Sequence, residues 1–170
     1  MRDLLLPGDA PIASREPDHD LERLIRLLRD SDSATRTLAA WTGLPIHLDL
    51  VSRRDDTLTP AEFADLDGWV PEPVQRRRVR LKDGHDRTLA EASATVMLGR
   101  VPERTAAELR ESDVPLGLLL RPMHARRHTL GVVRRPDADA GVVFEIRARL
   151  DVSGRPVAMV RERYLAAVLP

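Results

Sequence analysis

The stretch VVFEIRARLDVSGRPVAMVRERYL, residues 142–165, decides the fold. Its first half alternates, with Phe144, Ile146, Ala148, Leu150 and Val152 on one side and Glu145, Arg147, Arg149 and Asp151 on the other. That two-residue period marks a strand with one face on a core. SGR supplies a turn, and PVAMVRERYL resumes an extended pattern. Strands joined by so short a connection are antiparallel, because a parallel return needs a crossover of a dozen residues or more.

The same period appears upstream. RRRVRL (76–81) and TLAEASATVML (88–98) read as two strands joined by a turn at KDGHDR, and HTLGVVRR (128–135) and LPIHLDLV (44–51) as two more. Helical spacing is concentrated earlier. DLERLIRLL places Leu21, Leu24, Ile25 and Leu28 on one face. SDSATRTLAAWTG reads as a second helix, with Ser31 or Ser33 as its cap and Gly43 as its stop. TPAEFADLDG predicts a short helix with Thr59 as cap and Pro60 first, ERTAAELRES another, and DVPLGLLLR one that opens at Pro115. The order implies an α+β single domain, a largely antiparallel sheet with covering helices. Residues 1–18 carry prolines without a period and read as a loosely ordered leader before a domain over 19–170.

Composition narrows the chemistry. The 170 residues suit one core. There is no cysteine, which excludes disulfides, thiolate metal sites and cysteine nucleophiles and fits a cytoplasmic protein. The 27 basic and 27 acidic residues cancel, which argues against nucleic acid as the main partner. No stretch approaches the length of a membrane span or a signal peptide, so no membrane partner is expected. The basic residues are all arginine except Lys82, which stands in an apparent turn, so a Schiff-base lysine is not expected. His124 and His128 are four apart in HARRH, but the HExxH glutamate is missing and two arginines lie between them. They read as surface histidines, and no metal site is expected. Glycine-rich phosphate loops and a Gly-x-Ser-x-Gly elbow are missing from the sequence.

Two charged residues break the strand pattern. In the arginine strand, Arg76, Arg78 and Arg80 share a solvated face, while Arg77 points the same way as Val79 and Leu81. A guanidinium on that side must find an anionic partner or snorkel out at an edge. In the last strand Glu162 lies between Val160 and Tyr164 on one face. Burial there would favour its protonated form and suit proton chemistry, whereas a plain salt bridge from Glu162 to Arg77 would be structural. The helix starts at Ala34–Thr35 and Leu116–Gly117 add unpaired backbone N–H groups, which can hold a carboxylate.

Together these places resemble the chorismate pyruvate-lyase family. The matching segments are LLRDSDSATRTL, RRVRL, DVPLGLLL and GRPVAMVRERYL, in the family's order, over about residues 20 to 168. The resemblance implies an antiparallel sheet with a buried site under helical flaps. It implies a carbon–oxygen lyase that eliminates pyruvate from chorismate and leaves 4-hydroxybenzoate, without metal or organic cofactor. Arg77 would grip a substrate carboxylate with both prongs of its guanidinium. Glu162 would bond near the ring hydroxyl and assist the proton movement, and the backbone amides at Ala34 and Leu116 would complete the anion site. With two Phe, two Trp and one Tyr, little ring stacking on the aromatic product is expected.

The alternative is a non-catalytic small-carboxylate-binding module, related to the effector domains of bacterial transcription regulators that resemble this lyase fold. Against it, fewer than 20 residues precede the first helix, too few for a winged helix, and charge is balanced. The sequence leaves the oligomeric state open, with a monomer favoured, and does not decide which hydroxybenzoate isomer is involved.

Overall fold

Residues Val142–Val152 and Arg155–Leu165 form the expected antiparallel hairpin. Ser153 and Gly154 make its two-residue loop with φ of 51° and 77°. Both lie in the left-handed region, which primed hairpin turns require and which glycine at the second position makes inexpensive. The computed structural model describes residues 17–68, 70–137 and 140–170. The expected leader over 1–18 falls largely outside these residues.

In chain order the elements are helices α1 (Pro17–Arg29) and α2 (Ala34–Thr42), strand β1 (His47–Thr57) and helix α3 (Pro60–Phe63). Strands β2 (Pro73–Lys82) and β3 (Thr88–Met97), helices α4 (Glu103–Glu111) and α5 (Leu116–Leu120) and strand β4 (Arg126–Asp137) follow, and the hairpin supplies β5 and β6. All six strands join one antiparallel sheet in the order β1-β2-β3-β6-β5-β4. The α+β class read from the sequence is the observed one. None of the helices described is long and apolar enough to cross a membrane.

Local chemistry sets the boundaries. Ser33 caps α2 by accepting the Arg36 N–H, and Gly43 ends it at φ 69°. Asp83, fully buried, accepts the N–H groups of His85 and Arg87 and so shapes the β2–β3 turn.

One face of the sheet is covered by two helix pairs. At one end Leu24, Leu28 and Leu38 of α1 and α2 pack on Leu81, Ala90, Phe144, Ile146 and Tyr164. Phe144 and Tyr164 stack with centroids 4.4 Å apart, so these two rings are spent on each other. At the other end Leu109 of α4 and Leu119 of α5 pack on Val96 and Ala158. Each fully buried leucine contributes about 2 kcal/mol. Between the two ends, Leu50, Val79 and Ala92 are only half-buried. The opposite face carries α3 near one end, over Val74 and Met97.

That small helix is held by charge. Thr59 and Glu62 form a reciprocal capping box. Glu62 also accepts two bonds from Arg76, at 2.6 and 2.9 Å, and one from Thr95 at 3.0 Å. The Arg76 contact foremost, against the cost of partial burial, holds the Glu62 carboxyl at about 2 instead of 4.5. A depressed folded-state value gives stability that is complete above the unfolded value of 4.5 and is lost as pH falls towards about 2. Glu62→Gln is therefore expected to cost about 1 kcal/mol at neutral pH, discounted for solvent screening. It should also flatten the stability curve between the two values. Urea titrations at a series of acid pH values check this, and parallel curves for the two proteins would refute it.

Candidate functional site

Arg77 is the arginine set apart by strand parity, and the structure buries it to 2% exposure on the helix-covered face. The edge position with a snorkelling side chain is not what forms. The structural alternative, a salt bridge from Arg77 to Glu162, is not formed either. Nη1 donates to Gln75 Oε1 at 3.1 Å and to the Leu109 carbonyl at 3.0 Å, and Nη2 donates to the Val114 carbonyl at 3.0 Å. All three acceptors are neutral, and among the described residues no carboxylate pairs with this guanidinium. Burial lowers the Arg77 pKa and the charge of Arg53 lowers it further.

Arg53 stands directly opposite Arg77 in the β1–β2 register. It donates to the Ser112 carbonyl at 2.6 Å and to Asp113 Oδ1 at 2.9 Å. The two guanidiniums thus share the segment joining α4 to α5. Asp113, with its side chain 79% exposed, is the one acid of that segment paired with either of them. Like charges placed across a strand pair repel, so this corner favours an additional anion.

Glu162 is also buried on the covered face. Its Oε2 accepts from Arg127 Nη2 at 2.7 Å and from the Tyr164 hydroxyl at 2.8 Å. Tyr164 is fully enclosed, and burial first, then the neighbouring Glu162 charge, pushes its phenol well above the usual value. Oε1 of Glu162 takes no hydrogen bond from the described residues. Arg127 reaches further, to the carbonyl of Leu28 in the last turn of α1 and to that of Ser31 in the connection to α2.

The covered face therefore has a two-sided plan. Arg77 holds the linker of one helix pair, and Arg127 holds the linker of the other. Along β3, Ala94 pairs with Arg77 and Ala92 with Val79; across β6 the same alanines meet Val160 and Glu162. Arg77 and Glu162 are two strands and one pleat apart, about 12 Å at the backbone. The floor between them is alanine, and Ala94 packs against the cluster that includes Leu109 and Leu119. Ala34 and Leu116 open α2 and α5, and each packs at the edge of one core cluster. The four residues singled out from the sequence thus belong to one face and its two helical covers.

Arg53, Arg127 and the role of Tyr164 were not read from the sequence. Both arginines stand on edge strands next to a register shift, between Leu50 and Ser52 in β1 and between Thr129 and Gly131 in β4. Each shift adds a residue and reverses the alternation, which hides the arginine from a parity count. His124 sits at a left-handed turn and His128 on β4, where it lies 3.5 Å from Asp151; the two share no helix face. Among the described residues no cluster of three or more metal-ligating side chains occurs. A groove of about 940 Å³ lies outside α1 and α2, bordered by Arg23, Trp41 and Val168, and it includes neither Arg77 nor Glu162. Volume alone does not single out a candidate site; Arg77, a buried guanidinium that pairs with no carboxylate among the described residues, does.

No family model matches the chain, and no curated protein matches it in sequence. Solved structures do. The effector domain of PhnF from Mycobacterium smegmatis superposes with a TM-score of 0.63 at 20% identity, over 80% of this chain and 90% of that one. PhnF itself gives 0.65 at 17%, over 90% of this chain and 80% of that one. The C-terminal domain of the histidine utilization repressor from Pseudomonas syringae pv. tomato gives 0.54 at 13%, over 72% and 92%. The chain has the fold of GntR-family effector domains, the chorismate lyase-like α+β fold. At these identities the likeness is one of fold.

Proposed function

We propose that this chain is a ligand-binding effector module, and that its ligand is a small hydroxy-carboxylate held on the covered sheet face. The observation that carries this is Arg77, a buried cation bonded only to neutral acceptors. A ligand carboxylate would supply the missing counter-charge. Glu162 Oε1 offers an acceptor for a hydroxyl at the other end, and Ala92 and Ala94 lie between. The similarity to the effector domain of PhnF favours binding over turnover as the primary role.

Turnover of chorismate is the second reading, and one feature supports it. Glu162, fixed by Arg127 and Tyr164 with one oxygen free, is placed as a group that could guide a proton while Arg77 holds the carboxylate. Elimination of pyruvate aromatises the ring, so positioning and charge stabilisation would do most of the work. Ala34 and Leu116 would contribute backbone N–H groups from the helix starts.

One experiment separates the readings. Purified protein is mixed with chorismate, without added metal, and pyruvate and aromatic product are followed together with thermal unfolding. The proposal expects no product and a Tm raised by 4-hydroxybenzoate or a related hydroxy-acid. Equal amounts of pyruvate and 4-hydroxybenzoate would establish the lyase instead. Neither turnover nor a Tm shift across a panel of hydroxy-acids would remove both.

A further inference from the structure

The face of the sheet turned away from α1 and α2 carries a second, separate charge pattern. One row across it, Asp49–Arg80–Glu91–Arg163–Glu145, alternates in sign at every strand. The next row reads Ser52–Arg78–Ser93–Arg161–Arg147, with three arginines and no carboxylate. Two of the three are committed. Arg147 pairs with Asp65 at 2.6 Å, and the Nε of Arg161 lies 2.7 Å from Glu145 Oε1. The side chains of Arg78, Ser52 and Ser93 make no hydrogen bond or ion pair with the described residues.

This row crosses a groove of about 670 Å³ lined by six arginines, Arg54, Arg76, Arg77, Arg78, Arg147 and Arg161, and two carboxylates, Glu62 and Asp65. Ser93 is the short residue between two long ones. Arg78 and Arg161 rise on either side of it, about 9.6 Å apart at the backbone. A hydroxyl floor between two guanidinium walls makes a notch with donors on three sides. A planar carboxylate can satisfy one guanidinium fork. A tetrahedral dianion can meet both walls and the floor at once, and arginine's fork matches its oxygens.

We propose that the notch over Ser93, walled by Arg78 and Arg161, binds the phosphoryl group of a small phosphate ester. The notch lies on the opposite side of the sheet from the Arg77 guanidinium, because Arg77 and Arg78 are consecutive residues of β2 whose side chains leave by opposite faces, although Arg77, Ala94 and Val160 also border the groove. Arg78 supplies the uncommitted charge, and Arg161 contributes its terminal N–H groups while its Nε stays on Glu145.

The test is an NMR titration of the arginine Nε–Hε signals of the full chain. Inorganic phosphate and glycerol 3-phosphate are added at constant ionic strength, with sodium acetate as the carboxylate control. Saturable shifts at Arg78 and Arg161 are expected with both phosphates. Affinity should fall about tenfold in Arg78→Gln, an exposed substitution that leaves the fold in place, and less in Ser93→Ala. Acetate should leave the Arg78 signal unmoved. Phosphate shifts that do not saturate, equal affinity in Arg78→Gln, or acetate binding as tightly as phosphate would each overturn the assignment.

Discussion

Arg77→Met is expected to abolish the stabilisation that a small hydroxy-carboxylate gives the wild-type protein, with affinity falling about a hundredfold. The chain itself should keep its fold. Two effects on stability oppose one another. The substitution leaves Gln75 Oε1 and the carbonyls of Leu109 and Val114 without their donor, which costs about 1–3 kcal/mol for each group that water cannot reach. It also removes a buried cation that pairs with no carboxylate among the described residues, which offsets much of that cost. The net change should be about 1–2 kcal/mol, concentrated where Arg77 grips the segment between α4 and α5. Calorimetric titration gives the affinity, and hydrogen exchange at Leu109 to Leu118 gives the local loosening. Wild-type affinity in this variant would remove Arg77 as the ligand anchor and leave it a structural clamp.

Arg127→Met is expected to be the more destabilising change. Arg127 and Glu162 have side chains only 5% and 7% exposed, and their contact is 2.7 Å. Removing one partner of a buried pair strands the other charge, at a cost of about 3–5 kcal/mol. That is a large share of the 5–15 kcal/mol typical of a domain. The variant also releases the carbonyls of Leu28 and Ser31, so α1 and α2 lose one tie to the edge strand, while the Thr129 hydroxyl still donates to the Arg29 carbonyl. Glu162→Gln should cost less, because an amide oxygen still accepts from Arg127. The double variant should be more stable than the sum of the two single ones. Urea unfolding of the four proteins measures the coupling, and additive effects would show that the pair does not act as a unit. In the lyase reading Glu162→Gln would also lower turnover more than binding.

The two arginines explain how the helical covers are held to the sheet. Each comes from the sheet and donates to one main-chain carbonyl in the last turn of a helix and to another in the connection that follows it. Backbone carbonyls in such turns have no partner within the helix. A cation aimed at them secures the cover; the Arg127 charge is also paired with Glu162, whereas Arg77 bonds only to neutral acceptors.

The amino-acid sequence determined the strand alternation, the α1 stripe, the Ser33 cap, the Gly43 stop and the Ser153–Gly154 turn. These are local matters, set by side-chain period and by which residues tolerate a given φ. In β2 and β6, where the alternation runs unbroken through Arg77 and Glu162, parity was enough to place a charged side chain on the covered face. Tertiary structure alone decided the partners. Glu162 and Arg127 lie 35 residues apart, in strands separated by β5, so no local rule could join them. Bulges in the two edge strands reversed the alternation beside Arg53 and Arg127 and turned both towards the covered face. An added residue at a sheet edge leaves no mark in composition or period, and its effect exists only once the neighbouring strand fixes the register.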